Sequence, residues 1–303
     1  MNVSDLTYPT LARSLKQEGI NLRIGFCVVR IRSSFPSVAQ GIHLLYADYP
    51  LEPAHGFADF HISVEPPRNL RRWFAPQAIF RFDRFLPFKP LPAAQAYPLF
   101  EWGLNWCFST QYHRHLVIHG AVIERNGRAL ILPAPPGSGK STLCAALVTR
   151  GWRLLSDELS LIKLDELHVV PMCRPLSLKN ESLQIIQDFE PSTTFGAPAH
   201  DTTKGTVGHM RAPTASVQRS LESAIPAWVV FPQYQAGSSA QLTAVPKHEA
   251  FMKIAENTFN YSMMGLQGFQ TIAQLVDRCD CYRFTYSNLD EAIAVFNALS
   301  EHE

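Results

Sequence analysis

Ala134-Pro135-Pro136-Gly137-Ser138-Gly139-Lys140-Ser141 is the stretch on which the fold turns. Two glycines, a lysine and a hydroxyl at this spacing suit a loop that wraps an anion, because glycine lets the backbone take positive φ and approach a ligand closely. A short apolar run, Ala129-Leu130-Ile131-Leu132, precedes it, and Ser141-Thr142-Leu143-Cys144-Ala145-Ala146-Leu147-Val148 follows with the composition of a helix. Strand, loop, helix is the context a phosphate loop requires. In such a loop the backbone amides and the helix N-terminus face the phosphates, Lys140 reaches the outer ones and Ser141 can hold magnesium. The expected nucleotide contacts are Pro136, Gly137, Ser138, Gly139, Lys140, Ser141 and Thr142. The stretch departs from the phosphate-loop consensus at its first glycine, where Ala134 stands, and Pro135 and Pro136 lack amide donors; the cradling amides lie from Gly137 onward.

On the N-terminal side, Leu116-Val117-Ile118-His119-Gly120-Ala121-Val122-Ile123 and the run into the loop flank Asn126-Gly127. Two β-type runs around Asn-Gly predict a hairpin whose turn residues both take positive φ. With a two-residue turn Arg125 pairs with Arg128, and counting outward sets His119 opposite Ala134. A lone histidine in an apolar run is more often a packed core residue, but this register also gives His119 a catalytic reading. On the C-terminal side, Arg150-Gly151 turns the chain into a strand, Trp152 to Leu155, that stops at Ser156-Asp157-Glu158. The crossover rule makes this strand parallel to Ala129–Leu132 in the same sheet, with its carboxyl end toward the phosphates. Adjacent carboxylates there can divide two tasks, one accepting the proton of an attacking hydroxyl and the other holding magnesium. A solvated acidic pair ending the strand is the plainer alternative.

Further out, Cys173 to Asn180 and His200 to Arg211 are polar and basic, and read either as segments that close over a ligand or as solvated loops. Asn257 to Gly268 carries aromatic and Met residues at near-helical spacing and is expected to pack into a core. Short β-type runs at Leu22–Ile31, Ile42–Ala47 and Phe57–Val64 predict a small sheet. The proline-rich stretch Phe85 to Pro92 then precedes a helix expected from about Pro98 to Ser109. The expected architecture is α/β: an N-terminal mixed α+β module over residues 1–95, then a phosphate-loop domain over 96–303.

A composition of 46% hydrophobic and 17% charged residues describes a globular chain, not a disordered one. The 27 basic and 26 acidic side chains leave a formal net charge of +1, so no overall field recruits nucleic acid or a membrane, and any anion site must be local. The scattered cysteines contain no Cys-x-x-Cys and predict reduced thiols. Met1 to Ile20 lacks the apolar core of a signal peptide, so a cytoplasmic location is expected.

The motif order resembles the HPr kinase/phosphorylase superfamily, and more closely its bacterial branch called HPr-kinase-related kinase A. His119-Gly120, the loop ending Gly137-Ser138-Gly139-Lys140-Ser141, and Arg150 to Glu158 carry the superfamily resemblance, over roughly Leu116 to Leu161. Glu101-Trp102-Gly103-Leu104-Asn105-Trp106-Cys107, Arg174 to Asn180 and Asp201-Thr202-Thr203-Lys204-Gly205 look like marks of the branch, which covers most of the chain. The resemblance implies a kinase domain of the HPr kinase and phosphoenolpyruvate carboxykinase type, using ATP and Mg2+. It implies Asp157 as catalytic base, His119 as the partner that tunes it, Lys140 on the outer phosphates, and Ser141 with Glu158 at magnesium. Glu158 replaces the second aspartate of the true HPr kinases, which keeps the charge and lengthens the arm. The implied partner is a protein or peptide acceptor carrying a serine; no clear match to the HPr-docking segment is present, and a homo-oligomer is compatible with the resemblance. The alternatives are a small-molecule kinase, and an ATPase or nucleotide switch without an organic acceptor.

Overall fold

The computed structural model describes residues 1–69, 74–135 and 137–301. The N-terminal part begins with α1 (Tyr8–Lys16), β1 (Ile20–Ile24) and β2 (Cys27–Ser33), so the predicted run Leu22–Ile31 is two strands folded back at Gly25. Next come α2 (Pro36–Leu45), β3 (Leu51–Glu52), β4 (Phe60–Glu65), β5 (Gln77–Phe82) and β6 (Leu91–Pro92). The expected strand at Ile42–Ala47 is not one: most of it is the end of α2. Pro36 opens that helix, and Val38, Ile42 and Leu45 bury one helical face at three- and four-residue spacing. The six strands form one sheet in the order β3-β1-β2-β4-β5-β6, with β2 and β4 parallel across α2.

The helix expected from Pro98 to Ser109 is α3 (Ala96–Gln111). Its Phe108 ring meets Phe60 of β4 at 5.7 Å, and its Trp106 ring meets Phe82 of β5 at 5.6 Å. One hydrophobic core runs on from there into the rest of the chain, joining Phe80 and Phe100 to Leu132, Leu147 and Phe296.

The second sheet is built on β7 (His115–Arg125) and β8 (Arg128–Pro133), which leads into α4 (Lys140–Thr149). β9 (Arg153–Ser156), β10 (Leu159–Lys163) and β11 (Val169–Val170) follow. The two polar stretches expected to be loops or lids are largely strands: β12 (Leu176–Lys179), then α5 (Glu181–Phe189), β13 (Ala199–Thr202) and β14 (Gly205–Met210) make a third sheet, β12-β14-β13. After α6 (Thr214–Gln218), the chain adds β15 (Ile225–Tyr234), β16 (Gln241–Ala244), α7 (Lys247–Glu256), α8 (Tyr261–Arg278), β17 (Asp280–Tyr286) and α9 (Leu289–Glu301).

The second sheet has the order β11-β10-β7-β8-β15-β17-β16, with β9 also paired to β7. β8, β15 and β17 are mutually parallel, and β9 runs parallel to β8 with β7 between them, as the crossover rule requires. Side-chain alternation along β8 fills both faces. Leu130 and Leu132 join Leu143 and Leu147 of α4, while Ala129 and Ile131 join Ile254 of α7 and Ile272 and Leu275 of α8. The helical spacing read in Asn257–Gly268 is present from Tyr261, but core packing holds for only part of it: Phe259, Met263 and Leu266 are exposed. Among the described residues, no helix is long and apolar enough to cross a membrane.

Candidate active site

The β7–β8 hairpin sets the site. Asn126 and Gly127 take φ of 55° and 79°, and the register runs from Arg125↔Arg128 to Gly120↔Pro133, so His119 comes level with the start of the loop. Beyond Pro133 the chain bends through Gly137 (φ 89°) and Gly139 (φ 86°). A Cβ on Gly139 would lie 2.6 Å from the Tyr286 hydroxyl oxygen, so a side chain there would be strained in φ and would also have to push Tyr286 aside. The Tyr286 hydroxyl donates to the Gly139 carbonyl at 3.0 Å, and the Tyr234 amide donates to the Ser138 carbonyl at 3.0 Å. These bonds hold the loop's carbonyls back toward β15 and β17, while the amides of the first turn of α4 have no intrahelical acceptor. Pro136 lies outside the described residues. The Ser138 hydroxyl is buried without a hydrogen-bond partner, and Thr142 Oγ1 donates to Ser182 Oγ at 2.9 Å.

Lys140 is only 6% exposed, and its Nζ stands 3.4 Å from His119 Nε2. The backbone amide of His119 donates to the Asn257 carbonyl at 2.6 Å, and its ring meets Phe259 at 5.6 Å between centroids.

The acidic pair does not end a strand that leaves the sheet. β9 and β10 lie one after the other along β7, with Ser156 opposite Val122 and Leu159 opposite His119, and the Gly120 amide donates to the Glu158 carbonyl at 3.2 Å. Asp157 and Glu158 therefore interrupt one continuous path beside Gly120. The result is an unlike pair. Asp157 is 4% exposed; its Oδ2 accepts from the Ser177 amide at 3.0 Å, and its Oδ1 completes no hydrogen bond. Glu158 Oε2 lies 3.6 Å from His119 Nε2, and these two side chains keep 22% and 21% of their surface exposed.

Burial, and then the negative charge of Glu158, hold the Asp157 carboxyl above the ordinary carboxylate range; Lys140, the Ser177 amide and the neighbouring Ser141 hydroxyl offset part of that rise. Burial alone would raise Glu158 as well. There it is outweighed by hydrogen bonding to His119 and by the charges of Lys140, Lys179 and His119, so Glu158 is held low. Two adjacent carboxyls are thus driven in opposite directions, the environment in which one can take up a proton while the other stays charged.

The residues singled out by the sequence converge, but two partnerships are exchanged. Sequence places His119 with Asp157 and Ser141 with Glu158, whereas His119 meets Glu158 and Ser141 stands beside Asp157. The cause is the register along β7, which sets Glu158 next to Gly120 and so within reach of His119. Sequence reasoning missed Tyr234 and Tyr286, which no local signal marks because they arrive from β15 and β17, far along the chain. Ser177 lies in the polar stretch Cys173 to Asn180, which reads as able to close over a ligand but gives this residue no role of its own.

No family model matches this chain, and no curated protein matches it. Among solved structures, an HPr(Ser) kinase/phosphatase from Coxiella burnetii aligns with a TM-score of 0.29 and 9% sequence identity, over 62% of this chain and 99% of that one.

Proposed function

We propose that this chain is an ATP-dependent kinase that transfers the terminal phosphoryl group to a serine hydroxyl of a protein or peptide. The observation that carries this reading is Asp157: a buried carboxyl with a raised pKa and an unpartnered Oδ1, beside a charged Glu158 and the Lys140 of a glycine loop. As the serine oxygen bonds to phosphorus and the bond to the leaving diphosphate breaks, Asp157 Oδ1 accepts the hydroxyl proton. Lys140 and the first-turn amides of α4 hold the phosphate oxygens. His119 keeps Glu158 charged, and that charge in turn helps keep Asp157 basic, so His119 tunes the base through Glu158 and not by contact.

The Ser141 hydroxyl and the Glu158 carboxylate are hard oxygen donors of the kind magnesium takes when phosphates complete its shell. Among the described residues no group of three or more His, Cys, Asp or Glu could hold a metal ion. Bound there, magnesium would neutralise charge on the phosphates. The serine acceptor is supported by the motif resemblance. A polypeptide acceptor is supported by Phe259, 55% exposed against the His119 ring, which gives the site an apolar rim.

The test is transfer from terminally labelled ATP to a cell extract. Asp157→Asn should lower transfer by about 10²- to 10⁴-fold while ATP affinity stays within about threefold, since binding needs no base. Lys140→Ala should instead lose nucleotide affinity and turnover together. Transfer at the parent rate by Asp157→Asn would remove the base assignment. Label appearing only as inorganic phosphate would favour the ATPase alternative, and label only in small products the small-molecule kinase.

A further inference from the structure

The third sheet brings two lysines to the carboxyl pair: the charge of Lys179 acts on Glu158, and Lys204 feels the charges of Lys179, Glu158 and Lys140. Ser177 on β12 gives its amide to Asp157, and Lys179, two residues on, lies on the same face of that strand. Just beyond, Ser182 on α5 is bonded to Thr142 on α4. Lys179 is therefore bracketed by two contacts onto the site. Asn180 follows at φ 52°, ψ −126°, a conformation costly for any residue but glycine. It is held by Thr206: the Asn180 amide donates to the Thr206 carbonyl at 2.8 Å, and the Thr206 amide donates to Asn180 Oδ1 at 3.0 Å. A side chain at the neighbouring Gly205, at φ 81°, would be strained, and its Cβ, 2.2 Å from Asn180 Oδ1, would force the Asn180 side chain to shift.

This strained clasp pins the turn between β13 and β14, and with it Lys204, against the end of β12. The Lys204 ammonium sits 5.3 Å from the Trp102 ring centroid, and burial followed by the charge of Lys179 lowers its pKa. Neither ammonium makes a hydrogen bond or ion pair among the described residues. Where β12 meets Asp157, the Asp157 Oδ1 and the Ser177 hydroxyl are both buried and both without a partner. The loop side supplies its own contacts for a triphosphate in Lys140 and the amides of α4. The third sheet touches Asp157 through the Ser177 amide, so an acceptor bound on that side would meet the charges of that sheet.

We propose that Lys179 and Lys204 form an anion subsite for the acceptor, so that the serine phosphorylated by this chain is flanked by acidic residues of the acceptor peptide. The inference rests on the kinase reading above.

The test uses the full chain saturated with a non-hydrolysable ATP analogue and magnesium, and fluorescein-labelled peptides with one central serine flanked by Asp, Asn or Lys. Fluorescence polarisation should show the Asp-flanked peptide binding at least about tenfold more tightly than the Lys-flanked one, as charge-assisted contacts require. Lys179→Glu combined with Lys204→Glu should reverse the order, Lys204→Glu alone should narrow it with affinity for the analogue unchanged, and Lys179→Arg and Lys204→Arg should preserve it. Equal affinity for all three peptides, binding of none, or a parallel loss of analogue affinity in Lys204→Glu overturns the subsite. Transfer from labelled ATP is read on the same peptides. Phosphorylation without charge preference overturns the subsite alone, and charge-selective binding with no phosphorylation overturns the kinase reading.

Discussion

The paired strands β7 and β9 bury charge at both ends, and the two ends are built on opposite plans. At one end Glu124 and Arg153 sit directly opposite each other and form a buried ion pair. Neither side chain leaves a buried polar atom without a partner: Glu124 also accepts from the Gly127 amide, and Arg153 Nη1 donates to the carbonyls of Arg219 and Glu222 at 2.9 and 3.0 Å. At the other end β7 offers His119, α4 offers Lys140, and the chain leaving β9 offers Asp157 and Glu158. There Asp157 keeps an open oxygen and a raised pKa. A buried charge cluster that closes all its bonds holds strands together; one that leaves a bond open and shifts a proton equilibrium is arranged for something that arrives from outside.

The comparison breaks most visibly at the closed end. Arg153→Met leaves buried Glu124 with only the half-exposed Arg219 guanidinium 3.8 Å away, and removal of the main partner of such a pair costs about 3 to 5 kcal/mol. Urea unfolding of Arg153→Met should show a loss of that order, and Glu124→Leu combined with Arg153→Met should recover most of it. A loss below about 1 kcal/mol, the range of an exposed pair, would mean that the closed end contributes little to the fold.

That contrast also marks what the sequence makes legible. The hairpin register follows from two residues, because Asn126 and Gly127 accept positive φ locally and fix every pairing outward to Gly120 and Pro133. The loop and helix are equally local, with Gly137, Gly139 and Lys140 deciding them. Which face Glu158 reaches is a different matter, since it depends on how β10 continues along β7. The strands at Leu176–Lys179 and Gly205–Met210 were hidden because their pairing partners lie some thirty residues apart and their polar residues are buried by tertiary contact, as Ser177 and His209 are. Ile42–Ala47 misleads for the reverse reason: a short apolar run reads alike in strand and helix until Pro36 is counted as a helix start. Phe259 and Met263 mislead because a helical apolar pattern does not say which residues a neighbour covers.

A smaller effect sharpens the open end. Glu158→Gln removes the negative charge that helps raise Asp157, so the Asp157 pKa should fall toward the ordinary carboxylate range. A base works only above its pKa, so the acid limb of the transfer rate should move to lower pH. The plateau rate should fall by about three- to tenfold, since a weaker base pulls less on the proton. The magnesium concentration needed for half-maximal rate should rise. A pH profile that keeps the parent's acid limb would show that Glu158 does not act on Asp157.

The smallest expected effect is the one least dependent on any ligand. Asp157 has a folded-state pKa raised above its unfolded value, so the folded protein binds this proton more tightly than the unfolded chain does. Its contribution to stability is therefore most favourable at low pH and is lost as pH rises through the folded pKa. Above its folded pKa the parent protein carries a buried charge that water would hold better. Asp157→Asn removes the charge and keeps an acceptor oxygen for the Ser177 amide. The variant without nucleotide should melt about 2 to 4 °C higher than the parent at pH 7, the shift that a gain near 1 kcal/mol gives in a chain of this size. The two melting curves should converge as pH approaches the ordinary Asp value of about 3.9. A residue kept for stability would show the opposite: an Asp157→Asn protein melting lower at pH 7 would place Asp157 with Glu124 and Arg153, as part of what holds the strands together.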